Sequence, residues 1–89
     1  MANLARQSRF EDYDRWRLLY DAPASEAARQ AAGWRDLEVF RSAKDPNEVI
    51  IITDVDNIEA AVVYAESDEV RERQRISGLI ETTMYFRAD

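Results

Sequence analysis

The sequence contains no cysteine and no histidine among its 89 residues. Disulfides are therefore excluded, and so are thiolate nucleophiles, imidazole bases and the usual protein ligands of zinc and haem iron. A magnesium or calcium site would need a loop rich in carboxylates at regular spacing, and no such loop occurs. We therefore expect neither a metal nor a cofactor.

Long apolar runs and excess positive charge are also lacking. No stretch approaches the roughly 20 apolar residues of a membrane span, and the first ten residues lack the apolar core of a signal peptide. The net charge of −6 argues against a phosphate-backbone partner. We expect no membrane, no nucleic acid and a cytoplasmic location. Residues 1–89 should form one domain, and a chain this short often gains stability by self-association.

Glycine is scarce, and its two occurrences organise the chain. Gly33 and Gly78 lie 45 positions apart, and each follows a helix-compatible stretch and precedes a run of β-formers. This is the position after a helix end, where a left-handed backbone favours glycine. The same offset aligns the candidate helix caps Asp12 and Asn57, and several apolar positions besides. The pattern predicts two successive βαβ units.

Propensities and turn signals give bounds to these elements. Strands are predicted at residues 3–10, 35–42, 48–55 and 79–87, with a turn at 44–47. The first helix should begin near Asp12, break at Pro23 and restart at 25–26. The second should open at 56–59 with capping-box spacing and be interrupted by a new cap at Ser67. Together these elements predict a ferredoxin-like α+β fold with a four-stranded antiparallel sheet.

Strand three should be buried on both faces. Its residues 49–52 read Val-Ile-Ile-Ile, without the alternation of a strand that has one wet face. Right-handed crossovers would place both helical layers on one side of the sheet. The other side then needs a cover, which predicts a homodimer; a monomer with an apolar back is the alternative.

Three segments, residues 10–16, 41–49 and 65–71, resemble small dimeric α+β barrel proteins. Their most specific parts are the Asp-Tyr-x-x-Trp helix opening at Asp12 and the Asp-Pro-Asn turn at Asp45. These proteins include antibiotic-biosynthesis monooxygenase-like proteins and related polyketide cyclases and isomerases. The resemblance implies a homodimer of facing sheets and a pocket between sheet and helices. Ser8 stands where many relatives carry a histidine, so no histidine-dependent mechanism transfers.

The candidate site residues lie on strand one, helix one and their repeat equivalents. Arg6 would stabilise developing negative charge and Ser8 and Tyr64 would donate hydrogen bonds; alternatively, Arg6 reaches water and Tyr64 packs on the sheet edge. A ligand pocket is predicted from the aromatic stripe of helix one and from polar and flexible positions on the sheet; these residues are Tyr13, Trp16, Tyr20, Thr53 and Met84. The stripe is equally typical of an amphipathic helix core.

Three further expectations concern acidic and apolar strand residues. Asp54 and Asp56 lie close enough for an acid–base pair, although Asp56 fits better as a helix cap. Asp36 belongs to an ordinary half-wet strand, and Met84 should share the core face with Ile80 and Phe86. The leading functional hypothesis is a cofactor-independent monooxygenase- or cyclase-like enzyme acting on an aromatic or polyketide-type molecule. The alternative is a non-catalytic binding or accessory module.

Overall fold

The computed structural model describes residues 2–87, which fold into four strands and four helices around one antiparallel sheet. The elements in chain order are β1 (Ala2–Phe10), α1 (Tyr13–Tyr20), α2 (Pro23–Ala31), β2 (Trp34–Arg41), β3 (Glu48–Val55), α3 (Ile58–Ala65), α4 (Asp68–Ile76) and β4 (Leu79–Phe86). The sheet order is β2-β3-β1-β4, with both crossovers passing over the same face. The predicted ferredoxin-like βαββαβ fold is confirmed.

Each helical layer is split in two, as the sequence indicated. The side chains of Asp12, Asn57 and Ser67 each accept a hydrogen bond from a backbone N–H in the helix that follows. These bonds satisfy donors that a helix start otherwise leaves without partners. Pro23 is the first residue of α2, two residues before the expected restart, because its fixed φ and missing N–H suit a first helical turn.

The internal repeat is confirmed by the element bounds. Moving α1, α2 and β2 forward by 45 positions reproduces the bounds of α3, α4 and β4. Gly33 and Gly78 have φ values of +82° and +80°, the left-handed conformation expected after a helix. The Gly33 carbonyl accepts from Asp56 N–H at 3.1 Å and the Gly78 carbonyl from Glu11 N–H at 2.9 Å. Since Glu11 and Asp56 are also 45 apart, the two halves hold each other by equivalent contacts.

The core lies between the sheet and the helices. It consists of two clusters, and their fully buried members are Leu4, Trp34, Val55 and Ala61 in one and Phe10, Trp16, Val49 and Ile51 in the other. Every second residue of β1 and β3 contributes to this face, as expected for a strand that has its helices on one side.

The opposite face of the sheet, called the outer face below, has no helix against it. Ile50 is 40% exposed here, whereas its neighbours Val49 and Ile51 are 1% exposed. Phe40 lies opposite Ile50 in the sheet register and is 53% exposed. The apolar run of β3 is therefore covered on one side only within a single chain.

Two irregularities of the edge strands correct details of the sequence analysis. The β1–β4 register shifts between Arg9 and Phe10, which leaves Ile80 as an extra residue of β4. Ile80 is consequently half exposed, and the expectation that it shares the core face with Met84 was wrong. A second shift follows Asp36 in β2 and disrupts the alternation assumed there.

Candidate functional site

A cavity of about 520 Å³ separates the sheet from the helices. This volume lies in the range of small-molecule sites, which is roughly 300–1,000 Å³. Its walls come from all four strands below and from all four helices above. The side chains that give the cavity its chemistry are Arg6, Ser8, Trp16, Tyr20, Arg29, Trp34, Tyr64, Thr82 and Met84.

Three residues of the cavity wall, Arg6, Tyr20 and Arg29, belong to a polar cluster centred on the Asp36 carboxylate, which lies behind the lining. Arg6 Nη2 lies 3.2 Å from one Asp36 oxygen, and Arg29 Nε lies 3.1 Å from the other. The Thr53 hydroxyl donates to Asp36 at 2.9 Å, and the Tyr20 hydroxyl donates to it as well. Two guanidinium groups thus share one carboxylate. The cluster, hereafter the Asp36 cluster, carries one excess positive charge.

Arg6 is fixed from several directions. Its Nη2 donates to the Tyr20 hydroxyl at 2.7 Å and to Thr53 Oγ1 at 3.2 Å. Its guanidinium carbon lies 4.8 Å from the centre of the Trp34 ring, in range for a cation–π contact. Only 15% of the Arg6 side chain is exposed. The alternative in which Arg6 extends into water does not occur.

Tyr20 has its ionisation suppressed by this environment. Burial raises the pKa of the Tyr20 phenol to about 12, and the neighbouring Asp36 carboxylate adds to the effect against the opposing Arg6 and Arg29 charges. At neutral pH the phenol is therefore a hydrogen-bond donor and not a base.

Trp34 also makes an aromatic contact with Tyr64. The Tyr64 ring packs edge-on against the Trp34 ring at 5.4 Å between centres. The Tyr64 hydroxyl accepts from Arg73 Nη2 at 2.5 Å, and Arg73 also pairs with Glu69 at 2.8 Å on its own helix. Tyr64 therefore lines the cavity with its hydroxyl already engaged.

The other predicted site residues are distributed between the cavity wall and the layer behind it. Ser8 lines the cavity, but its hydroxyl is bonded to Thr82 Oγ1 at 2.8 Å. Met84 also lines it, whereas Thr53 is fully buried and supports Arg6 from below. Tyr13 lies outside the lining and packs against the core.

The aromatic stripe of α1 packs in the core and also forms part of the cavity wall. Trp16 stacks on Phe10 with 4.5 Å between ring centres and is only 4% exposed, which is core packing. Trp16 and Tyr20, 4.9 Å apart, nevertheless form part of the cavity wall. The ligand-contacting role of these residues stays a prediction.

Three residues of the site, Asp36, Arg29 and Trp34, were not identified from the sequence. Asp36 was assigned to a half-wet strand, and β2 is indeed largely exposed, but the ion pairs of the Asp36 side chain with Arg6 and Arg29 were not foreseen. Asp56 was expected as a cap, but Asn57 takes that place and Asp56 instead pairs with Arg35 at 2.9 Å.

The differences between the two repeats could have indicated this site from the sequence. At the 45-residue offset, the second-half equivalents of Arg6, Tyr20 and Arg29 are Ile51, Ala65 and Gln74. The fold therefore forms its second half without a charged cluster at the corresponding place. A polar group that the architecture does not require is more readily explained by a ligand than by folding.

Residues 2–87 lack both a carboxylate metal site and a membrane-spanning helix. Within this range, no three carboxylate side chains gather in a way that could hold a metal ion. No helix of the range combines the length and apolar character needed to cross a membrane.

Comparison with known proteins connects this chain to solved structures only. No family model matches it, and no curated protein does. A crystal structure named antibiotic biosynthesis monooxygenase is 16% identical to this chain and has a TM-score of 0.69. The match covers 100% of this chain and 98% of that one. A Bordetella bronchiseptica structure carrying that name as a provisional assignment is 12% identical with a TM-score of 0.70, covering 100% and 98% of the two chains.

A third structure broadens the set. A NIPSNAP domain protein from Burkholderia xenovorans is 14% identical with a TM-score of 0.69, over 100% of this chain and 94% of that one. At such identities the likeness concerns the fold. It confirms the resemblance to the α+β barrel proteins at that level.

Proposed function

We propose that this chain binds a flat aromatic or polyketide-type molecule in the cavity and acts on it without a cofactor, as a monooxygenase or a cyclase. The observation that carries the proposal is a cavity of about 520 Å³ with aromatic walls and a buried guanidinium, Arg6, in one corner. Solved structures of this fold that bear the monooxygenase name support it. Fold likeness alone is a weak guide to chemistry, so the cavity carries the argument.

Each side chain has a role that follows from its surroundings. Arg6 would stabilise negative charge that develops on a substrate oxygen, and it is held rigidly enough to do so without reorganisation. Ser8 and Tyr64 would exchange their present partners, Thr82 and Arg73, for substrate oxygens. In an oxygenation, dioxygen would be the oxidant and the electron-rich substrate would supply the electrons.

A second candidate function is binding without catalysis. The chain has no histidine or cysteine, and Tyr20, the cavity group with a shifted pKa, is moved away from neutrality to about 12. General acid–base catalysis is most effective when a pKa lies near the working pH. This observation favours a small binding or accessory module that holds its ligand by shape and charge.

Oxygen uptake and ligand binding separate the two candidates. The purified chain would be incubated with anthrone- and naphthol-type compounds and examined by native mass spectrometry, and each compound that binds would be tested for oxygen consumption and product formation. Binding with a changed compound supports the enzyme. Binding with an unchanged compound and no oxygen uptake supports the binding module, and no binding by any compound contradicts both.

The partner expected for this chain is a second copy on the outer face. Ala5 lies between Ile52 and Tyr85 in the register, and Ile50 lies beside Phe40, so these side chains form a continuous apolar patch. Burying such a patch contributes roughly 25 cal/mol per Å². A homodimer with facing sheets would cover the β3 run on its second side. The cytoplasmic location and the single domain over residues 1–89 stay predictions.

Sedimentation of point variants tests the dimer. Ile50→Lys places a charge in the centre of the apolar patch and should convert a dimer into a monomer at micromolar concentration. Leu18→Lys is the matched control, because Leu18 is 76% exposed on α1 and far from this sheet face. A wild-type chain that sediments as a folded monomer would exclude the dimer.

A further inference from the structure

Two residues that line the cavity each carry a buried nitrogen donor without an acceptor in the described part of the chain. Trp34 Nε1 and Arg6 Nε are both buried, and no atom of residues 2–87 accepts a hydrogen bond from either. Trp34 is 3% exposed, so water reaches it poorly. A buried donor without an acceptor destabilises the fold, and each such group in a native protein calls for an explanation, of which a bound ligand is one.

The two donors belong to neighbouring residues. Both residues line the cavity, and the Arg6 guanidinium lies over the Trp34 ring at 4.8 Å. At the 45-residue offset their equivalents are Ile51 and Leu79, which have no polar atoms in their side chains. The second half of the fold therefore packs the same positions with hydrocarbon, and the fold does not require these donors.

The ion pairs within 4 Å in the Asp36 cluster join two guanidinium groups to one carboxylate. Arg6 and Arg29 are 15% and 12% exposed and share the single Asp36 carboxylate, whose side chain is 21% exposed. The other arginine with a close partner at the cavity, Arg73, is neutralised by Glu69 on α4. An acceptor that brings one negative charge would satisfy the unbonded hydrogens and balance the excess guanidinium.

We propose that the cavity recognises a monoanion: a flat aromatic molecule with one oxyanion, to which Arg6 Nε and Trp34 Nε1 donate hydrogen bonds. This inference rests on the proposed function, because it assumes an aromatic ligand in the same cavity. It goes further in specifying the ionisation state and the two atoms that read it. A neutral carbonyl can accept the same hydrogens but leaves the charge of the Asp36 cluster unbalanced.

Matched ligands test the charge requirement on the intact chain. Isothermal titration calorimetry at neutral pH would compare 2-naphthoate with 2-naphthamide, which share a ring and differ in charge. We expect the acid to bind at least about tenfold more tightly, as charge-assisted bonds exceed neutral ones. Equal affinity would refute the monoanion while leaving an aromatic site intact. Failure of both compounds to bind would remove the aromatic site and the monoanion together.

Variants of Arg6 and Trp34 test whether Arg6 Nε and Trp34 Nε1 donate to the oxyanion. Arg6→Met should weaken naphthoate about 10- to 100-fold and naphthamide by less than about threefold. Arg75→Met is the control, since it removes the same charge from a side chain that is 71% exposed and lies outside the cavity lining. If Arg6→Met does not fold, Trp34→Phe keeps the ring and removes Nε1, and should weaken naphthoate about 3- to 10-fold. Unchanged naphthoate affinity in the folded variants would overturn the assignment.

A third probe, 2-naphthol, tests whether the oxyanion is a carboxylate or a phenolate. If its affinity rises as the pH is raised through its own ionisation, the site accepts phenolates and enolates as well as carboxylates. If it stays weak while naphthoate binds tightly, the site reads a carboxylate. Tyr20 does not interfere in this range, because its pKa is about 12.

Discussion

Replacing Asp36 by Asn removes the negative charge at the centre of the Asp36 cluster while keeping its shape. The carboxylate accepts from the Tyr20 and Thr53 hydroxyls and pairs with Arg6 and Arg29 at 3.2 and 3.1 Å. The amide retains a single acceptor oxygen and turns an N–H₂ group toward these donors. Two guanidinium groups are then left without a counter-charge.

The magnitude follows from burial. Breaking a fully buried ion pair costs about 3–5 kcal/mol; the Asp36 side chain is 21% exposed and the whole residue more so, which lowers this to about 2–3 kcal/mol. At about 4–8 °C per kcal/mol for a domain of this size, the melting temperature should fall by roughly 10–20 °C. Thermal and urea unfolding followed by circular dichroism, at one protein concentration, would measure both quantities.

The repeat supplies a matched control for Asp36. Glu81 is the residue 45 positions later, and its carboxylate pairs with Arg9 at 3.4 Å, with side chains 67% and 42% exposed. Such exposed pairs contribute about 0–1 kcal/mol, so Glu81→Gln should leave stability nearly unchanged. If Asp36→Asn and Glu81→Gln had equal effects, the claim that burial makes the Asp36 cluster energetically important would be refuted.

Three more predictions concern pH, a helix start and the two glycines. Folding raises the pKa of Tyr20 from 10.0 to about 12, so the contribution of the neutral phenol to the free energy of unfolding is fully present below pH 10. This contribution should fall by up to about 2–3 kcal/mol as the pH rises to 12. Tyr20→Phe should lack this decline in urea titrations at alkaline pH, and persistence of the decline would contradict the assignment. Ala22 precedes α2 without a side-chain cap bond, whereas its repeat equivalent Ser67 caps α4 with one. Ala22→Ser should therefore raise the free energy of unfolding by about 1 kcal/mol. A lower free energy of unfolding in this variant would contradict the equivalence of the two caps. A methyl group on Gly33 would lie 2.7 Å from Asp56 Oδ2, and one on Gly78 would lie 3.2 Å from Glu11 Oε1. Both glycines have positive φ, so each Gly→Ala variant should lower the free energy of unfolding by about 1–2 kcal/mol, and Gly33→Ala should lower it more. The reverse order in chemical denaturation would contradict the importance of these contacts.

The architecture was readable from the sequence because local signals and the repeat agreed. Caps at Asp12, Asn57 and Ser67, the break at Pro23 and the glycines at helix ends are all determined by residues within one turn of the feature. Strand bounds were predicted to within one residue of those observed at 2–10, 34–41, 48–55 and 79–86. Right-handed crossovers then left one topology.

The tertiary structure decided the chemistry of the cavity. Arg6 and Arg29 lie on different elements and meet at Asp36, a contact 30 residues from Arg6 that no local pattern encodes. Irregular registers at Asp36 and Ile80 changed which side chains face the helices, since one extra residue reverses the alternation of a strand. The sequence alone thus determined the order and ends of the elements, which depend on neighbouring residues. Which charges share a buried site depended on long-range packing, and only the folded chain brings those groups within hydrogen-bonding distance.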